Sequence, residues 1–141
     1  MKKLIIILFA FVILIGCSDD KGRTTNPYLP NYAFSFIINL NLPLYSGLIS
    51  PVNPIRITDS ASGITMIVMK VTDTDYRAWD ANCPNQYPTS CSLLRVSSPN
   101  AKCDCEDYEY SLFTGLGGGD YSMKPYYVEV LGNNSIRIYN F

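Results

Sequence analysis

The sequence predicts an all-β fold made of short antiparallel strands. Apolar and polar residues alternate over several short segments, and clusters of Gly, Pro, Asn, Asp and Ser separate these segments. Beyond residue 16, no segment shows the periodicity of an amphipathic helix. The 141 residues, of which 48% are hydrophobic, are enough for one domain with its own core. We therefore expect one small sandwich or barrel.

The first predicted strand covers residues 34–42, where alternate side chains form one apolar face. Prolines and a glycine then predict a loop over residues 44–53. Residues 55–58 and 63–71 read as the two strands of a hairpin, with its turn at residues 59–62. Because the second of these strands is almost continuously apolar, we expect it to be buried on both faces.

Five further strands are predicted in the rest of the chain. They are residues 76–80, 93–96, 101–103, 126–131 and 135–139. The last two alternate in polarity on either side of Gly132-Asn133-Asn134, which is typical of a hairpin turn. The elements in this order give an antiparallel β domain.

The N-terminal residues predict export and lipid attachment. Met1-Lys2-Lys3 is a short basic start, and residues 4–15 are an apolar run of the length of a signal-peptide core, too short for a membrane-spanning helix. The run ends in Leu14-Ile15-Gly16-Cys17, which resembles a bacterial lipobox with Cys17 as the lipidated residue. An ordinary secretory signal with an incidental cysteine is the alternative.

These features divide the chain into three parts. We expect residues 1–16 to be a lipoprotein signal peptide, residues 17–31 to be the lipidated cysteine with a flexible tether, and residues 32–141 to be the β domain. Cleavage before Cys17 leaves nine basic and twelve acidic residues, so the mature net charge is −3. No basic patch is available to neutralise phosphates, which argues against a nucleic-acid partner. We expect acyl chains on Cys17 to hold the protein on the outer membrane, at its periplasmic face or the cell surface.

Four cysteines lie in the β domain, in a chain without histidine. Asn82-Cys83-Pro84-Asn85 contains the first of them and Cys91 is the second. Lys102-Cys103-Asp104-Cys105-Glu106 contains the other two. Both segments follow predicted strands, so one compact β domain can bring the two loops together.

These two segments resemble the cluster-binding loops of a Rieske [2Fe-2S] domain, and the resemblance extends over roughly residues 64–141. In that family each loop supplies one cysteine and one histidine. Cys83 and Cys103 match the cysteine positions, whereas Asn85 and Glu106 stand at the histidine positions. An amide is a poor iron ligand, and a carboxylate changes the charge and potential of a cluster. The resemblance implies a small Rieske-like sandwich or barrel with two Cys-containing loops, a degenerate member that cannot assemble the cluster of the family.

The resemblance also implies a disulfide pairing. The two ligand cysteines of the family share one iron, so their sulfur atoms are close, and high-potential members carry an additional disulfide, one position of which falls on Cys105. The implied pairs are Cys83–Cys103 and Cys91–Cys105, and an oxidising, exported location favours their formation. A diagonal pairing, Cys83–Cys105 with Cys91–Cys103, remains open. Each loop closure stabilises the fold by roughly 2–4 kcal/mol.

Other metal and nucleotide chemistry is less well supported by the cysteine and glycine spacing. The cysteines lack the Cys-x2–4-Cys pairs of structural zinc sites, and Cys-Asp-Cys is not the Cys-x-x-Cys of oxidoreductases. A non-standard cluster bound by four cysteines, or by two cysteines and Glu106, is an alternative. Residues 115–120 lack the third glycine and the helix of a dinucleotide-binding fingerprint, which favours a tightly turning or mobile loop.

Two sets of side chains offer other ligand sites. Calcium could bind the acidic residues around the second cysteine segment, although a solvated, charged loop tip is the commoner explanation for such a cluster; they are Asp104, Glu106, Asp107 and Glu109. A binding surface for sugars or peptides could be formed by tyrosines, unless they are half-buried strand residues; they are Tyr108, Tyr110, Tyr121, Tyr126 and Tyr127.

No set of residues suited to acid–base or nucleophilic catalysis is visible, since histidine is absent and no Gly-x-Ser-x-Gly occurs. We expect a non-catalytic envelope lipoprotein whose Rieske-like domain has lost its iron–sulfur cluster and binds no cofactor. It would act as a structural or interaction module with a protein or glycan partner. The alternative is an electron-transfer protein with a non-standard [2Fe-2S] site.

Overall fold

A computed structural model of the chain describes residues 25–141. The predicted signal peptide and Cys17 lie outside the described residues. Within residues 25–141, no helix has the length and apolar character needed to cross a membrane. The described residues are almost entirely β structure, so the predicted all-β class is confirmed.

Nine strands follow one another in the described part of the chain. They are β1 (Phe34–Asn39), β2 (Ile55–Thr58), β3 (Thr65–Lys70), β4 (Tyr76–Asp80), β5 (Arg95–Ser97), β6 (Asn100–Cys103), β7 (Tyr108–Ser111), β8 (Pro125–Leu131) and β9 (Ser135–Asn140). Six form an antiparallel sheet in the order β1-β9-β8-β4-β3-β2, and three form a second sheet in the order β5-β6-β7. The strand β4, which leads toward Cys83, therefore lies inside the larger sheet.

Two apolar clusters form the core. Side chains of β3 alternate between them, because Met66 and Val68 belong to one cluster and Ile67 and Met69 to the other. All four are fully buried, which confirms that β3 is covered on both faces. The second cluster joins the two sheets, and the buried Trp79 Nε1–H donates a hydrogen bond of 2.9 Å to the carbonyl of Leu112 across it.

Three local predictions need correction. The first strand ends at Asn39 rather than at residue 42, because the carbonyl and the side chain of Asn39 accept hydrogen bonds from the Leu42 and Asn41 amides in a turn. The predicted loop over residues 44–53 contains a 3-10 helix at Pro43–Ile49, which has a proline at its start and buries Leu48. The strand β7 was not predicted, because Tyr110 is its one buried residue and no alternation is visible.

The N-terminal boundary of the ordered domain also differs from the prediction, since residues 26–31 do not behave as a tether. Leu29 is only 3% exposed. The Asn26 side chain accepts the Tyr28 amide hydrogen at 2.8 Å and donates at 2.7 Å to the carbonyl of Pro84. The Tyr28 ring packs edge-on against Tyr87. One capping asparagine and one leucine suffice to fix this segment, although its composition is polar.

Candidate functional site

Two loops carry the four cysteines of the domain. Loop one, residues 81–94, connects β4 to β5 and closes on itself, because the Cys83 amide donates to the Ser92 carbonyl at 2.8 Å and the Leu94 amide to the Ala81 carbonyl at 2.7 Å. Loop two, residues 103–107, consists of Cys103 at the end of β6 and the tight turn of the β6–β7 hairpin. Each loop therefore begins at the end of a strand whose register is fixed by its sheet.

The disulfide Cys83–Cys103, here called the inner disulfide, joins loop one to the end of β6 with a Cα–Cα distance of 5.6 Å. Both cysteines are 0% exposed. They belong to the core cluster that contains Leu94, Ala101 and Tyr110. The positions of the two family thiolates are thus occupied by a buried covalent link.

The disulfide Cys91–Cys105, here called the outer disulfide, joins the same two loops with a Cα–Cα distance of 5.5 Å. Cys91 is exposed and Cys105 is partly buried. The Thr89 hydroxyl lies 3.4 Å from the Cys91 sulfur and 3.8 Å from the Cys105 sulfur. The two disulfides are the pairs that the Rieske resemblance implied, not the diagonal pairs.

The two disulfides are close neighbours. The sulfur atoms of Cys83, Cys103 and Cys105 all lie within 4.8 Å of one another. Among residues 25–141 these three are the one set of metal-ligating side chains whose donor atoms converge in this way. Loop two therefore contributes one sulfur atom to each disulfide, and its two sulfurs lie side by side.

Asn85, at the first histidine position of the family, links loop one to the residues around it. Its amide NH₂ donates to the Tyr110 hydroxyl at 2.8 Å and to the Tyr121 carbonyl at 2.9 Å. Its amide oxygen accepts the Tyr121 backbone N–H at 2.8 Å. Because both ends of the amide are engaged, the Asn85 side chain has a structural role that holds three segments together.

Tyr110 lies between the two positions where the family has histidines. Burial raises the pKa of its hydroxyl, the hydrogen bond from Asn85 opposes this rise, and the negative charge of Glu106 adds to it. Glu106 is partly buried, and its Oε2 atom is buried without a hydrogen-bond partner among residues 25–141. Asn85 and Glu106 therefore both act on the hydroxyl of Tyr110.

The glycine loop, residues 115–120, turns tightly against this site. Gly119 has a φ of +85°, and a Cβ atom there would lie 2.5 Å from Asn85 Nδ2. Gly115 has a φ of +73°, and a Cβ atom there would lie 2.5 Å from Trp79. Both positions therefore require glycine, for backbone conformation and for space. The loop turns tightly and packs against Asn85 and Trp79, which is the first of the two predicted alternatives, a tightly turning or a mobile loop.

Three of the four acidic residues near loop two have individual partners. Arg95 binds Asp104 at 2.8 Å and lowers the pKa of that carboxyl group. Lys102 binds Asp107 at 2.5 Å, which raises the pKa of the lysine. The Glu109 carboxylate accepts a hydrogen bond of 2.8 Å from Asn100. These three carboxylates therefore bind side chains of β5 and β6 and do not converge on a common point where a cation could bind.

The candidate tyrosines do not form one surface. Tyr110 and Tyr126 are buried in different core clusters, and Tyr108 and Tyr127 are exposed. The hydroxyl of Tyr126 donates to the Asp80 carboxylate at 2.6 Å, and burial together with that carboxylate raises its pKa well above the usual range. The structure thus divides these rings between core positions and separate exposed positions.

Asp80 stabilises the start of loop one, and the sequence analysis did not predict this role. It ends β4 and is buried. Besides the Tyr126 hydroxyl, its carboxylate accepts the Asn82 backbone amide at 2.8 Å and the Asn82 side chain at 2.9 Å. An Asp-x-Asn sequence before the first cysteine was the available signal, since such a carboxylate often caps the following turn.

The residues at the four family positions do not fit a Rieske cluster. Two thiolates are needed, and Cys83 and Cys103 are bonded to each other. The Asn85 amide is fully used by Tyr110 and Tyr121. Of the four residues, only Glu106 has a possible metal-ligating atom, Oε2, that makes no hydrogen bond within residues 25–141. Three of the four positions are therefore committed to protein contacts.

Comparison with known proteins finds no sequence relative. No protein-family model matches the chain, and no curated protein matches it. Solved structures do match. A protein described as the small subunit of an NADH-dependent nitrite reductase from Mycobacterium tuberculosis superposes with a TM-score of 0.50 and 13% identity, over 79% of this chain and 98% of that chain. The ferredoxin of carbazole 1,9a-dioxygenase from Nocardioides aromaticivorans superposes with a TM-score of 0.44 and 17% identity, over 65% and 88% of the two chains.

At 13% identity, the first likeness bears on the fold alone. The second is too distant to support an argument. The first agrees with the antiparallel β architecture of the described residues. The described residues adopt a Rieske-like all-β fold in which two disulfides join the loops.

Proposed function

We propose that the protein is an envelope lipoprotein whose Rieske-like domain has lost its iron–sulfur cluster and serves as a structural or interaction module. On this proposal the domain is not an enzyme and binds no cofactor. Acyl chains on Cys17 anchor it to the outer membrane, and its partner is a protein or a glycan. Each loop keeps its family position but has exchanged a ligand role for a structural one.

One observation carries this proposal. The two cysteines at the thiolate positions form a disulfide in the core, where they are 0% exposed. A buried disulfide links the two loops covalently without a metal, and it restricts the unfolded chain. The Asn85 contacts support the same conclusion, since they replace metal coordination by hydrogen bonds to Tyr110 and Tyr121.

The test uses the full-length chain, extracted from membranes in detergent and purified without oxygen or reductant. We expect no visible absorption, no bound iron, and a native mass about 4 Da below that of the reduced protein, because two disulfides lack four hydrogens. Visible absorption together with iron and sulfide would overturn the proposal.

The competing function is electron transfer by a non-standard [2Fe-2S] site. Two separate features favour it. The Glu106 Oε2 atom is buried without a hydrogen-bond partner in the described part of the chain, and the sulfur atoms of Cys83, Cys103 and Cys105 lie within 4.8 Å of one another. The same purification distinguishes the two functions, because an iron–sulfur centre absorbs visible light and a disulfide does not.

The lipid anchor is tested separately. Replacing Cys17 by Ala removes the only thiol that a lipobox at this position would modify, so the variant is expected in the soluble fraction while the unaltered chain sediments with membranes. A Cys17→Ala chain that remained in the membrane fraction would contradict the anchor and leave the cluster result unaffected.

A further inference from the structure

We propose that the two disulfides form an exchange pair, in which reduction of the outer disulfide at the surface is passed to the inner disulfide in the core. The reductant is a dithiol, either a small molecule or a dithiol oxidoreductase. This is an activity of the four cysteines that neither a purely structural role nor the electron-transfer alternative includes.

The first step of the argument is access. The inner disulfide is closed to solvent, since Cys83 and Cys103 are both 0% exposed. The outer disulfide is open, because Cys91 is exposed. Exchange requires a thiolate to reach a sulfur of the disulfide, so an external thiol can attack only the outer bond directly.

The second step is proximity. The sulfur of Cys105 lies within 4.8 Å of the sulfurs of both Cys83 and Cys103. Cys91 is not a member of this group. Once the outer bond is broken, Cys105 is therefore left as a free thiol beside the buried disulfide, whereas Cys91 is left at the surface. The Thr89 hydroxyl, 3.8 Å from the Cys105 sulfur, can stabilise the thiolate that forms there.

The reaction balances in two steps. The dithiol reduces the Cys91–Cys105 bond and becomes a disulfide, giving up two electrons and two protons to form two thiols. Cys105 then loses its proton and attacks one sulfur of the inner disulfide. The Cys83–Cys103 bond breaks as a bond to Cys105 forms, and the departing thiolate takes up a proton. The second step has no net electron transfer.

The position of attack determines what happens to the loops. Attack on the Cys83 sulfur gives Cys83–Cys105 and releases Cys103, so the loops stay linked. Attack on the Cys103 sulfur gives a bond within one hairpin and releases loop one altogether. In either case the buried bond opens in response to a reductant that never contacts it.

The test compares two matched variants of the full-length chain, Cys91→Ser and Cys105→Ser. Each has lost the outer disulfide and retains one free thiol from it. Each variant is first incubated at about pH 8, where disulfide exchange is fast. It is then denatured in excess maleimide at a lower pH. The lower pH reduces the thiolate fraction and therefore slows further exchange during labelling. Peptide mass mapping then locates the label.

We expect the label in Cys91→Ser to shift from Cys105 to Cys83 or Cys103 in part of the molecules. In Cys105→Ser, we expect it on Cys91 alone. Label confined to Cys105 in the first variant, or equal scrambling in both, would overturn the proposal.

The unaltered protein provides a second measurement that does not depend on how well the variants fold. One equivalent of a small dithiol should produce two thiols per molecule, at Cys91 and at one member of the inner pair. Two thiols at Cys91 and Cys105, or no reduction at all, would each contradict the proposed exchange.

Discussion

Asn85 shows how one side-chain amide can link several segments of the chain. Its NH₂ group donates to the Tyr110 hydroxyl and to the Tyr121 carbonyl, and its oxygen accepts the Tyr121 backbone N–H. A neutral imidazole offers one donor and one acceptor nitrogen, whereas an amide offers two N–H donors and an acceptor oxygen. The side chain of Asn85 is therefore suited to satisfy neighbouring polar groups in two directions.

Replacing Asn85 by Ala should destabilise the domain by about 1–3 kcal/mol, because the Tyr121 backbone groups and the Tyr110 hydroxyl lose their partner in a partly buried setting. Denaturant unfolding measures the loss. The exposed Asn53 gives a matched control, and Asn53→Ala should change the free energy of unfolding by much less. Similar losses in both variants would show that the contacts of Asn85 contribute little.

At the scale of the elements, the glycine loop packs against the Asn85 side chain, which also binds the backbone of Tyr121 just after the loop. Gly119 combines a φ of +85° with contact against the Asn85 side chain. Gly132 in the β8–β9 turn has open space around the position of a Cβ atom. Gly119 is therefore required by packing, whereas no packing contact requires a glycine at position 132.

Gly119→Ala is expected to destabilise the fold by about 1–3 kcal/mol, through backbone strain and overlap with Asn85. Gly132→Ala should be close to neutral, since nothing lies within 4 Å of the added carbon. Thermal unfolding of the two variants checks this difference. An equal loss at both positions would contradict the packing described for Gly119.

The turn of the β2–β3 hairpin should respond to acid. Burial raises the pKa of Asp59, but hydrogen bonds from the Ser62 hydroxyl and from the Ala61 and Ser62 amides lower it more, so that it lies below its ordinary value of 3.8. A lowered folded-state pKa contributes stability that is present above the unfolded pKa and is lost as the pH falls through the folded value.

We therefore expect the free energy of unfolding of the unaltered protein to decline below about pH 4. The free energy of unfolding of the Asp59→Asn variant should decline less steeply over the same range. Unfolding curves measured over this acid range test the expectation. Parallel pH profiles for the two proteins would show that other carboxyl groups dominate.

The sequence predicted the elements in which local pattern and tertiary setting agree. The apolar run of β3 and the alternation around Gly132-Asn133-Asn134 correspond to a strand buried on both faces and to the β8–β9 hairpin. It missed β7, where Tyr110 is the one buried side chain, and it missed the packing of Leu29, whose neighbours come from distant parts of the chain. Of the site, the cysteine loops were visible from their spacing, but the roles of Asp80 and Thr89 depend on folding.

At the scale of the whole molecule, the two disulfides connect the two sheets, and they contribute unequally to the stability of the fold. They span 20 and 14 residues, so each should contribute roughly 2–4 kcal/mol through the unfolded chain. The inner disulfide also fills core volume beside Tyr110 and Leu94, whereas Cys91 of the outer disulfide lies in solvent.

The paired replacement Cys83→Ala with Cys103→Ala should therefore cost more stability than Cys91→Ala with Cys105→Ala. The additional loss arises from the cavity that two buried sulfur atoms leave behind. Denaturant unfolding of the two double variants, each lacking one bridge, gives the comparison. An equal or larger loss for the outer pair would contradict the assignment of the inner pair to the core.

The hydrogen bond from Asn26 to the Pro84 carbonyl places the start of the described chain beside loop one. Thr25 follows Cys17 by eight positions, and a chain of eight residues spans at most about 28 Å. The lipid proposed on Cys17 would therefore keep loop one, which carries the exposed Cys91 of the outer disulfide, near the membrane surface.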